Sequence, residues 1–100
     1  MTELGHIAQK VRSKNAGPFW LTMDIFCWNR ADFDRISAAL GTDQVAALFR
    51  IDSTNIKRFD IADLNVVKFS LPRPTIQGTR SDRDMHGAAW AVLLEEMEIA

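Results

Sequence analysis

With 100 residues, 47% of them hydrophobic and 25% charged, the chain has the make-up of one folded domain around one core, and it indicates neither disorder nor a membrane protein. The formal net charge of −1, with a pI near 6.1, excludes a general nucleic-acid binder whose affinity comes from neutralising phosphates. No apolar run reaches the roughly 18 residues of a membrane span, the first residues lack the order of a signal peptide, and the lone Cys27 has no internal partner, so a cytoplasmic protein of bacterial type is expected.

Residues 1–11 space Leu4, Ile7, Ala8 and Val11 in a way that suits one or two helical turns and equally an extended segment. Asn15-Ala16-Gly17-Pro18 reads as a turn. From residue 19 to 28, period two puts Phe19, Leu21, Met23, Ile25 and Cys27 on one face and Trp20, Thr22, Asp24, Phe26 and Trp28 on the other. That second face is too aromatic for a strand simply open to water, so something is expected to cover it.

Asn29 reads as a helix cap with Asp32 near the positive end, followed by Phe33, Ile36 and Leu40 on one side. Gly41 ends that helix, and Thr42 reads as the cap of a second one carrying Val45, Leu48 and Phe49. After the turn Asp52-Ser53-Thr54-Asn55, residues 56–61 and 65–71 form two strands joined by Ala62-Asp63-Leu64, with Phe59, Ile61, Val67, Phe69 and Leu71 expected to face the core. Pro72-Arg73-Pro74 stops the second of these. A polar loop then leads to Asp84, the expected cap of a helix to about Leu94 with Trp90, Leu93 and Leu94 inward, and residues 95–99 alternate like a short edge strand.

Strand, helices, strand, strand, helix, strand is the order of an α+β, ferredoxin-like βαββαβ fold, an antiparallel sheet with helices on one face, here as a single domain over residues 1–100. In that fold the start of the first strand, the end of the third and the N-terminus of the last helix meet at one end of the sheet. Two loops that are basic in sequence then converge: Arg12, Lys14, Asn15 and Gly17 from one, and Arg73, Gln77, Gly78, Arg80, Asp82, Arg83, Asp84 and His86 from the other.

The chemistry available there is anion binding, with an arginine gripping a carboxylate or phosphate by paired hydrogen bonds. The competing reading is solvated arginines, or surface pairs with Asp82 and Asp84 that contribute little. His86 with Asp84 is the candidate pair for proton transfer, and His6 is a separate histidine in the opening segment. Asp82, Asp84 and His86 at two-residue spacing match a divalent-metal site only loosely, because an Asp cap followed by a first-turn histidine explains the same residues, so no metal or other cofactor is expected. Trp20, Phe26, Trp28 and Lys68 form a candidate protein interface, with a helical cover from residues 1–11 as the structural alternative. RNA is not expected, since the basic-Gly-aromatic signature of base-stacking sheets is missing.

The runs Arg12-Ser13-Lys14-Asn15-Ala16-Gly17-Pro18-Phe19, Lys68-x-Ser70-x-Pro72-Arg73-Pro74 and Gln77-Gly78 leading to Asp82-Arg83-Asp84-Met85-His86-Gly87 together resemble a bacterial family of stand-alone proteins of about this size, known as a domain of unknown function. Such proteins look like companions of the acyclic terpene utilisation protein A-like family, whose C-terminal region is similar to a ferredoxin-like domain with a related Arg-Ser start. The loop here reads Ser-Lys-Asn-Ala-Gly where that region typically reads Ser-Gly-Asp-Lys-Gly, so a shared ligand does not follow. The resemblance implies a small subunit or detached domain working with a larger partner of that type. Joined to the residue reading, it leads to the expectation of an accessory subunit that binds such a partner, or itself, through its aromatic sheet face and contributes a site for an anionic small molecule. Two alternatives stand beside it: the small subunit of a hydratase or lyase acting on an unsaturated carboxylic acid or acyl thioester, and a stand-alone small-molecule sensor. No membrane and no nucleic acid enter any of the three.

Overall fold

The computed structural model describes residues 2–17, 19–73 and 90–99. Its centre is an antiparallel sheet of four strands: Lys10–Asn15 (β2), Trp20–Phe26 (β3), Val66–Pro72 (β5) and Lys57–Ile61 (β4), in that spatial order. A two-stranded sheet joins Thr2–Glu3 (β1) to Glu98–Ile99 (β6). The helices are Leu4–Ile7 (α1), Arg30–Ala39 (α2), Thr42–Phe49 (α3) and Trp90–Glu95 (α4).

The two interior strands are the apolar ones. Leu21, Met23 and Ile25 of β3 lie directly opposite Leu71, Phe69 and Val67 of β5, and all six are inaccessible. Against this face pack Leu4 and Ile7, Phe33 and Ile36, Val45 and Phe49, and Ala91 and Leu94, so every described helix contributes to one core on one side of the sheet. Each fully buried aliphatic or aromatic side chain contributes about 1.5–3 kcal/mol, which makes this layer the main source of stability.

Local signals set the helix ends. The Asn29 side chain accepts from the Asp32 amide at 2.9 Å, and Arg30 bonds Asp34 one turn on at 3.0 Å. Gly41 rather than Thr42 occupies the cap position of α3, its amide donating to the Gln44 side chain at 2.7 Å. Ala62–Leu64 forms a single 3₁₀ turn closed by Asn65 at φ 53°, a left-handed position that asparagine tolerates, and so joins β4 tightly to β5.

The order β3-β5-β4 is that of the first three strands of a ferredoxin-like sheet. The fourth position, beside β3, is held by β2 from the N-terminal side of the chain. The C-terminal strand expected there pairs with β1 instead. Residues 10–15, of which Lys10 and Val11 suit a helical turn or an extended segment and the rest reads as a basic loop, are a strand and form a hairpin with β3. Four side chains differ from the sequence reading. Phe19, just before β3, is exposed, as is Leu93 on α4. Phe59 and Ile61 point away from the helices, because β4 turns Arg58 and Asp60 toward them.

Arg58 explains that choice. Its guanidinium donates to the Leu40 carbonyl at 2.6 Å and the Ser37 carbonyl at 2.8 Å, satisfying free carbonyls at the end of α2, and to Asp60 at 2.9 Å. Asp60 in turn accepts from the Ser37 hydroxyl at 2.6 Å. Burial acts to raise the Asp60 carboxyl, but hydrogen bonds from Arg58 and Ser37, with the Arg58 charge, outweigh it and hold the group below its ordinary value.

Candidate functional site

Helices cover one face of the sheet, and among the described residues none covers the other. The sequence Lys10-Val11-Arg12-Ser13-Lys14-Asn15 builds the first strip of that open face by strict alternation: Val11 and Ser13 turn inward and are buried, while Lys10, Arg12 and Lys14 turn outward. Gly17, at φ 84°, makes the turn that glycine permits, and the Ala16 amide closes the hairpin on the Trp20 carbonyl at 2.9 Å.

Strand register then lays the open face out in rows. Lys14 lies beside Thr22, which lies beside Ser70 and then Lys57. The next row runs Arg12, Asp24, Lys68, Phe59. The third runs Lys10, Phe26, Val66, Ile61. In the middle row Arg12 is 3.8 Å from Asp24, which is only 7% exposed, and Lys68 is the register partner of Asp24 on the next strand. Lys10 and Arg12 both lie over the Phe26 ring, at 5.6 and 5.8 Å from its centroid.

Of the candidate interface residues, Trp20, Phe26 and Lys68 belong to this face, with Trp20 39% exposed. Trp28 lies beyond the end of β3 and is exposed. Of the candidate anion ligands, Arg12 and Lys14 lie on a strand of the open face, Asn15 ends that strand half-buried, and Gly17 is in the turn. Arg73 is buried one residue past β5, its amide bonded to the Phe19 carbonyl at 2.8 Å. Alternation from Leu71 sets it on the covered side, away from the outward Arg12 and Lys14. Gln77, Gly78, Arg80, Asp82, Arg83, Asp84 and His86 lie outside the described residues.

At the sheet end Trp20 opposes Pro72, and α4 meets β2 nearer the middle of the sheet, where Ser13 opposes Met23. That contact is made by Ser13, whose buried hydroxyl accepts from the Ala91 amide of α4 at 3.0 Å. No site role was assigned to Ser13 from sequence. The signal for it was the alternation of charged and uncharged residues around it.

Other reactive groups are quiet. Cys27 is buried, and burial first and the nearby Asp32 charge second push its thiol up to about 11, so it is no nucleophile at neutral pH. His6 is exposed on α1, 3.8 Å from Glu3. Among the described residues no group of three His, Cys, Asp or Glu side chains is placed to hold a metal, and no helix is long and apolar enough to cross a membrane.

Architecture and site together define an α+β protein whose antiparallel sheet is covered by helices on one face and carries cations and aromatics on the other. The chain belongs to the DUF4387 family, a domain of unknown function, which it matches over residues 4–98. Neither a curated protein nor a solved structure matches it.

Proposed function

We propose that this chain is an accessory subunit that docks on a larger protein through the open face of its sheet. The observation that supports the reading most directly is the composition of that face, where Trp20 and Phe59 keep 39% and 49% of their surface exposed on a sheet whose other side is fully packed. Aromatics and arginine are enriched at protein interfaces, where apolar anchors are ringed by a polar, solvent-accessible rim. A larger protein of the acyclic terpene utilisation protein A-like type is the partner to try first, and an anionic small molecule held with Arg12 and Lys14 belongs to the same proposal. The hydratase or lyase alternative rests on Asp84 and His86, outside the described residues, and no specific observation favours it.

The test is the mass of the purified chain, alone and mixed with such a partner from the same genome, by light scattering on a sizing column. A stable complex that is lost on replacing Trp20 and Phe59 with serine supports the reading. A chain that stays alone under all mixtures overturns it.

A further inference from the structure

We propose that the surface seated on the open face is acidic, belongs to a different protein rather than a second copy of this chain, and places a carboxylate on the row Lys14, Thr22, Ser70, Lys57. This rests on the open sheet face being the docking surface. Five cations, Lys10, Arg12, Lys14, Lys57 and Lys68, turn outward there against one carboxylate, Asp24. The face therefore carries about +4 on a chain whose formal total is −1, so the rest of the molecule is net acidic.

The charges are unequally engaged. Arg12 already meets Asp24, and Lys10 and Arg12 lie on Phe26. Lys14, Lys57 and Lys68 make no hydrogen bond or ion pair among the described residues. Between Lys14 and Lys57 stand two hydroxyls, Thr22 and Ser70, on neighbouring strands roughly 5 Å apart. Thr22 is 9% exposed, and its hydroxyl lies beneath the surface of the row with no partner among the described residues, while Ser70 beside it stays half-exposed. A carboxylate over this row is flanked by both ammonium groups and accepts from the half-exposed Ser70 hydroxyl.

Self-association through this face runs against the same charges. A two-fold dimer brings a patch against its own copy, so the lysines of one chain would meet those of the other with Asp24 already occupied by Arg12. An acidic surface on a larger protein has no such conflict. A nucleic acid offers anions too, but an extended polyanion would also pass the net-acidic remainder of the molecule.

The test uses the full chain, isotope-labelled, titrated with short poly-L-glutamate and followed by backbone amide shifts. The expected result is a shift map confined to Lys14, Thr22, Ser70, Lys57 and their strand neighbours, with affinity falling at least ~10-fold between about 50 and 500 mM salt. The pair Lys14→Glu with Lys57→Glu, which takes the face from about +4 to about 0, should abolish this binding. Ser70→Ala should weaken poly-L-glutamate binding about threefold to tenfold with an unchanged circular-dichroism spectrum, roughly the loss of one hydrogen bond to a charged group. No shift, a map on the helical face, or indifference to both variants overturns the inference. Tighter binding of a uridine oligonucleotide on the same row overturns it in favour of nucleic acid, and a concentration-dependent dimer lost on Lys14→Glu overturns it in favour of self-association. Poly-L-glutamate binding on this row with no complex in the mixing experiment overturns the accessory-subunit reading while the chemistry of the face stands.

Discussion

On the covered side of β3, Leu21, Met23 and Ile25 are inaccessible and meet four helices; one residue away along the same strand, Thr22 and Asp24 stand among lysines and an arginine. The two faces share every strand, every backbone hydrogen bond and the same register. They differ only in which half of an alternating sequence they receive. Stability should therefore concentrate in one half and recognition in the other, and substitutions at paired positions can separate them.

The largest contrast lies between two phenylalanines. Phe69 is fully buried at the centre of the covered face, and Arg58 lies 5.4 Å from its ring centroid. Phe69→Ala should cost about 3–5 kcal/mol through lost burial and the cavity left behind. Phe59, on the open face and half-exposed, should cost about 1 kcal/mol or less when changed to alanine. Urea unfolding followed by far-ultraviolet circular dichroism measures both. Equal losses would mean that the open face is packed as tightly as the covered one.

Ser13 gives an intermediate contrast. Ser13→Ala removes the acceptor for the Ala91 amide and should cost about 1 kcal/mol, with faster hydrogen exchange at the Ala91 amide of α4. Ser70→Ala, on the open face, should change stability by no more than about 0.5 kcal/mol. An unchanged exchange rate in α4 for the first variant would show that β2 does not anchor that helix.

What the sequence made legible follows from the same alternation. β3 and β5 were readable because their inward rows are wholly apolar, and α2 because Asn29, Phe33 and Ile36 fall where a cap and a stripe should. β2 escaped because its inward row is Val11, Ser13 and Asn15, too polar to count as a core strand, while its real mark is a cation at every second position. The edge strand β4 was read on the wrong side because its two apolar residues, Phe59 and Ile61, look like core; Arg58 takes the inward place in order to satisfy the end of α2. Hydrophobic pattern cannot report that demand, since it arises only once the helix end and the strand are side by side. Of the candidate site, Arg12, Lys14 and Lys68 were legible as cations, but their meeting with Lys57 on one face needed the extra strand.

The smallest effect separates the faces by pH. Asp60, held on the covered side by Arg58 and Ser37, has its carboxyl below the ordinary value of 3.8, so the folded state takes up its proton less readily than the unfolded chain. Its contribution is therefore complete above the ordinary carboxylate range and is lost as pH falls through the depressed folded value. Asp52 is lowered too, by the Thr54 amide and hydroxyl, and gives a contribution of the same sign, so the acid limb of the wild type alone does not isolate Asp60. The difference between wild type and Asp60→Asn does. It should be below about 1 kcal/mol at pH 7, as befits a partly exposed pair, and should shrink toward zero below the ordinary carboxylate range. Urea midpoints at a series of pH values measure it. A difference that stays constant with pH would place the role of Asp60 in the shape of its hydrogen bonds to Ser37 and Arg58 and not in its charge.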